Sequence, residues 1–354
     1  MQNMNGQGDN RQQSAVWVQV PDAPTPPPVD HTLQLKKELR ATSNKAAAGV
    51  LMFYGFSLIV QSAISLLTEF FRAQGETAFN NYADFMNNPN FGLIFNSFCQ
   101  LLFMTIPFII SAKISGAKIP QILNYGKPIK GTLLPIGFMG LGGAMMCNLA
   151  NSIIMIFLST FGIIPSGGNM EMEISLRSYL LNILCVAVVP ALFEEFAFRG
   201  VMMGLLSRKF SVQTSIIISA AAFSLIHGNF VQIPFTFLIG LIFGYSYAIT
   251  KSMWVPMLIH FLNNAYSVTM DHLTWGLSST TAGIVLYATM IILIIIGLIS
   301  FGIAAKRTPE IFTFKKEESA ISQHKMLKLG FLSPVMIVAC SLYLLKALGV
   351  QLSI

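Results

Sequence analysis

Two adjacent glutamates, Glu194 and Glu195, interrupt an apolar run that reads Val188-Val189-Pro190-Ala191-Leu192-Phe193 before them and Phe196-Ala197-Phe198-Arg199-Gly200 after them. Two more polar groups follow, Phe223-Ser224-Leu225-Ile226-His227 and His260-Phe261-Leu262-Asn263-Asn264. On a helix, Glu195 and Arg199 are four apart and share a face, so they can pair. Glu194 points about 100° away and has no cation left to it in its own segment. The same spacing puts Phe223 with His227, and His260 with Asn264. Carboxylate and imidazole brought together are equipment for moving protons or holding a cation.

The elements that must position these groups are membrane helices. The chain has 354 residues, 54% hydrophobic and only 10% charged, with mean hydropathy +0.64. A soluble domain would carry about 25% charged residues. The expected fold is all-α: a polytopic membrane protein of eight to nine transmembrane helices, with the active site inside the helix bundle. The spans fall at 47–69, 92–113, 132–162, 178–207, 211–228, 231–250, 253–270, 282–305 and 329–347, the last being short and carrying Pro334. A charge near the bilayer centre costs about 3 kcal/mol on insertion scales, so three in one span point to function.

Lysine and arginine sort the connections. Lys36, Lys37, Arg40 and Lys45 precede the first span; Lys113, Lys118, Lys127 and Lys130 follow the second; Arg208 and Lys209 end the fourth; Lys306, Arg307, Lys315, Lys316, Lys325 and Lys328 fill 306–328. The intervening loops hold almost none, which predicts a cytoplasmic N-terminus. The net charge of +7 is therefore a membrane-face bias, and nucleic acid is not an expected partner. Counted from Arg208 and Lys209, Glu194 lies roughly 21 Å into the membrane and His227 roughly 25 Å. Counted from Lys251, His260 and Asn264 lie roughly 13 and 20 Å in. The four can share a layer.

The chain divides into a disordered cytoplasmic tail (1–45), N-terminal transmembrane helices (46–175), a catalytic core (176–270), and C-terminal helices (271–354) with a basic connector (306–328). The tail carries Pro21, Pro24, Pro26, Pro27 and Pro28 and lacks an apolar signal-peptide region. Ile311, Phe312 and Phe314 give the connector a surface-lying pattern. Cys99, Cys147, Cys185 and Cys340 form no CxxC and read as buried packing. The glycines of the third span and the Gly240–Gly244 pair read as close helix contacts. His31, His272 and His324 are incidental, and Asp271-His272 reads as a solvated loop. Plain structural readings exist for single residues: Asn264 as an interhelical bond, Phe223 as packing, Glu195–Arg199 as a fixed pair. The full set with Glu194 and two histidines is what points to chemistry.

The ordered triple of EExxxR, FxxxH and HxxxN resembles the CAAX-processing and bacteriocin-processing (CPBP) intramembrane endopeptidases over about residues 176–270. That resemblance implies a membrane endopeptidase in which Glu194 and His227 activate water, while His260 and Asn264 stabilise the oxyanion. Glu195 and Arg199 would support them, with Phe223 beside the site. The implied partners are a peptide or membrane-protein substrate and the lipid bilayer, and the expected location is a bacterial cell membrane. A metal-free mechanism is favoured. The zinc alternative would use Glu194, His227 and His260 as ligands, though without the HExxH pattern. Two other functions stay open: a proton-coupled transporter, which would use the same buried Glu and His, and a non-catalytic membrane scaffold.

Overall fold

The computed structural model describes residues 31–128, 130–162, 175–312 and 321–349. The tail up to residue 30 and the middle of the connector, with Phe314, lie outside these. Among the described residues every regular element is helical. Those longer than four residues are, in chain order, α1 (His31–Ala73), α2 (Glu76–Met86), α3 (Pro89–Ile114), α4 (Leu133–Ser159), α5 (Leu176–Leu206), α6 (Val212–Leu225), α7 (Ile233–Thr250), α8 (Trp254–Thr274), α9 (Ser279–Arg307), α10 (Gln323–Phe331) and α11 (Pro334–Ala347). The chain is an all-α polytopic membrane protein.

Each expected span lies on helix, but the lengths differ. Helices α1, α3, α4, α5, α7 and α9 are long and apolar enough to cross a bilayer, and α10 with α11 qualifies as a pair bent by 69°. Pro334 begins α11 at that bend, where its missing N–H costs nothing. Helix α6 has only 14 residues, about 21 Å at the helical rise, and stops at Leu225 rather than continuing through His227. Asp271 and His272 belong to the last turns of α8, not to a loop. Helix α1 begins at His31, well inside the expected tail, and already buries Leu39 and Ser43. Its 43 residues reach about 64 Å, twice the hydrocarbon thickness, so it extends beyond the bilayer.

Helix starts follow local chemistry. Asn88 accepts from the Phe91 N–H ahead of Pro89, and Ser175, Ser211 and Ser278 do the same for α5, α6 and α9. Helix α5 is not regular throughout. Two π-helical stretches, Ile183–Val188 and Phe196–Met202, flank the α-helical Val189–Glu195. Such wide turns are frequent at functional sites.

Small residues set the closest contacts. A Cβ on Gly142 of α4 would lie 2.8 Å from the Gly297 Cα of α9, and the reverse holds for Gly297. In α7, a Cβ on Gly244 would meet Ile216 of α6 at 2.8 Å. All four cysteines are free thiols. Replacing Gly142 or Gly297 by leucine should overpack the α4–α9 contact and cost about 1–3 kcal/mol. Thermal melts in detergent should show both variants falling, with Gly302→Ala, where a Cβ meets nothing within 4 Å, unchanged. Equal melting for all three would refute the close approach.

Candidate functional site

The site grows from α5. Glu194, Glu195 and Arg199 are 6%, 0% and 1% exposed, inside a segment of spanning length. Arg199 Nη1 donates to Glu195 Oε1 at 2.9 Å, as the four-residue spacing requires. Its Nη2 donates to the Gly240 carbonyl of α7 at 3.1 Å. The guanidinium lies over the Phe223 and Phe243 rings, 4.3 and 4.9 Å from their centroids, a cation–π setting that rewards a desolvated cation. A Cβ on Gly240 would stand 3.3 Å from Arg199 Nη2, so glycine there serves the arginine as well as the helix contact.

His260 of α8 enters the same network. Its Nδ1 lies 2.9 Å from Glu195 Oε1. An ionised carboxylate only accepts, so Nδ1 carries the proton. That directs Nε2 toward Glu194, whose Oε2 is 3.8 Å away. Phe243 stacks on the imidazole at 4.8 Å and 19°, leaving it 4% exposed. Glu195 Oε2 is buried without a hydrogen-bond partner.

His227 sits two residues past the end of α6, where the sequence placed it on a helix face. Its Nδ1 faces the Phe223 carbonyl at 2.9 Å. A carbonyl accepts only, so this nitrogen donates, satisfies a helix-end carbonyl, and leaves Nε2 as the lone-pair nitrogen. The rings of Phe223 and His227 still meet edge to face at 5.1 Å. Gly228, with φ +59°, turns the chain away directly afterwards, a conformation glycine adopts without strain.

Asn264 answers a different need. Pro190 has no N–H to offer the Val186 carbonyl four residues earlier. Asn264 Nδ2 donates to that carbonyl at 2.9 Å, and Asn264 Oδ1 accepts from Asn263 Nδ2 at 3.0 Å. His260 and Asn264 thus both face α5, as their spacing predicts, but through separate partners.

Glu194 and His227 line one cavity of about 450 Å³ between α1, α3, α5 and the end of α6. Phe53, Phe103, Met104 and Ile226 supply apolar walls; Asn96, Ser97 and Gln100 supply polar ones. Gln100 Nε2 donates to Glu194 Oε1 at 2.5 Å. Sequence reasoning passed over Gln100, Asn263 and Phe243, and saw that Pro190 leaves the Val186 carbonyl without its backbone bond but not what satisfies it. The one available signal was an amide at Gln100 within an apolar span. Among the described residues no three His, Cys, Asp or Glu side chains are grouped to hold a metal ion. Glu194, His227 and His260 as placed therefore do not make the ligand set of the zinc alternative.

The profile of the type II CAAX prenyl endopeptidase Rce1-like family matches residues 176–266, the stretch that holds all three motifs. Residues 176–266 are similar to the CPBP endopeptidases. The membrane-embedded CAAX protease MroQ of Staphylococcus aureus is 30% identical over 149 residues, covering 40% of this chain and 60% of that protein. The putative membrane peptidase YdiL of Bacillus subtilis is 30% identical over 91 residues, covering 26% and 37%. The match therefore spans less than two thirds of either relative. No solved structure matches.

The matched segment holds its own ion pair, and removing one partner leaves a buried charge. Arg199→Ala should destabilise by about 3–5 kcal/mol, read as lower membrane abundance and a lower detergent melting temperature. Wild-type behaviour would refute the pairing. Asn264→Leu should cost about 1 kcal/mol by exposing the Val186 carbonyl. The cost should shrink in a Pro190→Ala background, where a backbone N–H is restored; equal costs in both backgrounds would show that Asn264 has no such capping role.

Proposed function

We propose that the chain is an intramembrane endopeptidase that hydrolyses a peptide bond of a membrane-associated peptide or protein. The observation that carries this reading is the shared cavity: Glu194 and His227 face one open space, roomy enough for a peptide segment, between α1, α3, α5 and the end of α6. Both motif residues reach it from different helices, with His227 Nε2 free to accept a proton.

In this reading a water in the cavity gives its proton to the Glu194 carboxylate, assisted by His227, and its oxygen attacks the peptide carbonyl carbon. The tetrahedral oxyanion is met by the remaining N–H of Asn264 and by His260 Nε2, which donates once it carries a second proton; such donors are worth several kcal/mol where water is scarce. The proton held by Glu194 then passes to the leaving amine as the C–N bond breaks. Glu195 and Arg199 hold His260 and fix the helix. No step passes through a metal. The lysine and arginine distribution supports a cytoplasmic N-terminus, and the bacterial relatives support a bacterial cell membrane.

The test is cleavage of a membrane-peptide library by purified protein in detergent, with bound metal quantified. Glu194→Ala and His227→Ala should each lower the rate at least about 100-fold while melting like the wild type, and chelators should have no effect. Full cleavage by Glu194→Ala overturns the reading. Stoichiometric zinc with chelator inhibition keeps the peptidase and replaces the mechanism.

A further inference from the structure

We infer that Gln100, on α3 and outside the matched segment, is the positioning residue that holds the Glu194 carboxylate in its working orientation. This rests on the hydrolytic reading above and gives the N-terminal helices a direct part in the site.

Gln100 stands in the run Phe98-Cys99-Gln100-Leu101-Leu102-Phe103-Met104. An amide within such a span needs a partner, because hydrocarbon offers none. Its partner is Glu194, through a bond from Nε2 to Oε1 at 2.5 Å. Hydrogen bonds to a carboxylate are about twice as strong as those between neutral groups.

Two consequences follow. With Oε1 tied to α3, the carboxylate cannot rotate, and Oε2 is the oxygen left facing His260 Nε2 at 3.8 Å. A donor held on Oε1 also leaves the lone pairs of Oε2 as the ones open to a proton, which is what a general base requires. The other groups around Glu194 do not tie its carboxylate. His260 on α8 stands beyond hydrogen-bond distance. Arg199 on α5 acts on Glu194 only at longer electrostatic range and bonds instead to Glu195, the adjacent like charge. His227 lies across the cavity, and the thiols of Cys99 and Cys185 line its wall without bonding to Glu194. Helix α1 contributes the apolar Phe53. Among the described residues Gln100 is the one hydrogen-bond donor to Glu194.

The experiment reads the protonation of Glu194 without a substrate. Dicyclohexylcarbodiimide takes up a protonated carboxyl group across its C=N bond, giving a stable N-acylurea that mass spectrometry locates. The full chain in detergent is treated across a pH series. Gln100→Leu, which removes the donor, should move the half-modification pH at Glu194 upward by about one unit. Gln100→Glu, of the same shape, should also move it upward, because two adjacent carboxyls share a proton. Thr105→Val, which alters a buried hydroxyl of α3 that has no partner, should leave it in place. With the library peptide cleaved fastest, Gln100→Leu should lower kcat about tenfold, leave KM unchanged, and move the acid limb of the pH–rate profile the same way. Wild-type titration and profile in both Gln100 variants overturn the inference, even if one variant folds poorly. Cleavage that survives Glu194→Ala overturns the hydrolytic reading instead, so the two failures are told apart.

Discussion

The buried pair of Glu195 and Arg199 is the constraint around which the rest is arranged. Neither charge reaches water, and in hydrocarbon each must be matched or the helix would not stay inserted. Matching one carboxylate to one guanidinium leaves four further N–H groups on the arginine and lone pairs on the glutamate. Helix α7 supplies the Gly240 carbonyl, α6 and α7 supply the aromatic rings over the guanidinium, and α8 supplies the His260 N–H. A single ion pair thereby ties four helices together. Its location also decides what Glu194 can be: the neighbouring glutamate takes up Arg199, and Glu194 is left to face α3 and the cavity.

What the sequence makes legible follows from where geometry is set by covalent spacing. Glu195 and Arg199 lie four residues apart, so their pairing needs only the assumption of a helix. Their meeting with His260 needs relative depth as well, which hydropathy and the basic turns at Arg208 and Lys251 supply to within several ångströms. The His227 position shows where this kind of inference stops. Phe223 and His227 have the spacing of a helix face, yet α6 ends at Leu225. The ending is encoded in Gly228 and Asn229, which terminate helices, and the imidazole then caps the carbonyl it was expected to lie beside. The ring contact survives because His227, two residues past the helix end, is still held against the last turn by its backbone bond to the Ser224 carbonyl.

Gln100 was the least legible part. A lone amide in an apolar span has no spacing partner in its own segment, and its partner is 94 positions away. Nothing in a helical period distinguishes it from Asn148 of α4, whose amide donates to the Ala144 carbonyl one turn back. The start of α1 was misread for a related reason. Residues 31–45 are polar enough to be read as tail, and their burial depends on α10 and α11, which return from the far end of the chain: Ser43 donates to the Gly330 carbonyl and Asn44 accepts from the Val335 N–H.

The two histidine and asparagine motifs also divide their work by a rule that spacing alone could not supply. Pro190 lies beside the glutamates and removes a backbone donor. In a membrane the Val186 carbonyl so exposed must be satisfied from another helix, and Asn264 does this. The bond costs Asn264 one of its two N–H groups, while Asn263 occupies its carbonyl oxygen. With two of its bonding directions taken, the amide plane is fixed, and the remaining N–H has a fixed direction too. For the proposed hydrolysis that is the useful state of an oxyanion donor, since a donor already oriented needs no reorganisation as charge develops. The same logic applies to His260, clamped by Glu195 at Nδ1 and by Phe243 on its face. Helix-breaking proline and buried ion pair, each a liability in a bilayer by itself, together hold both donors still.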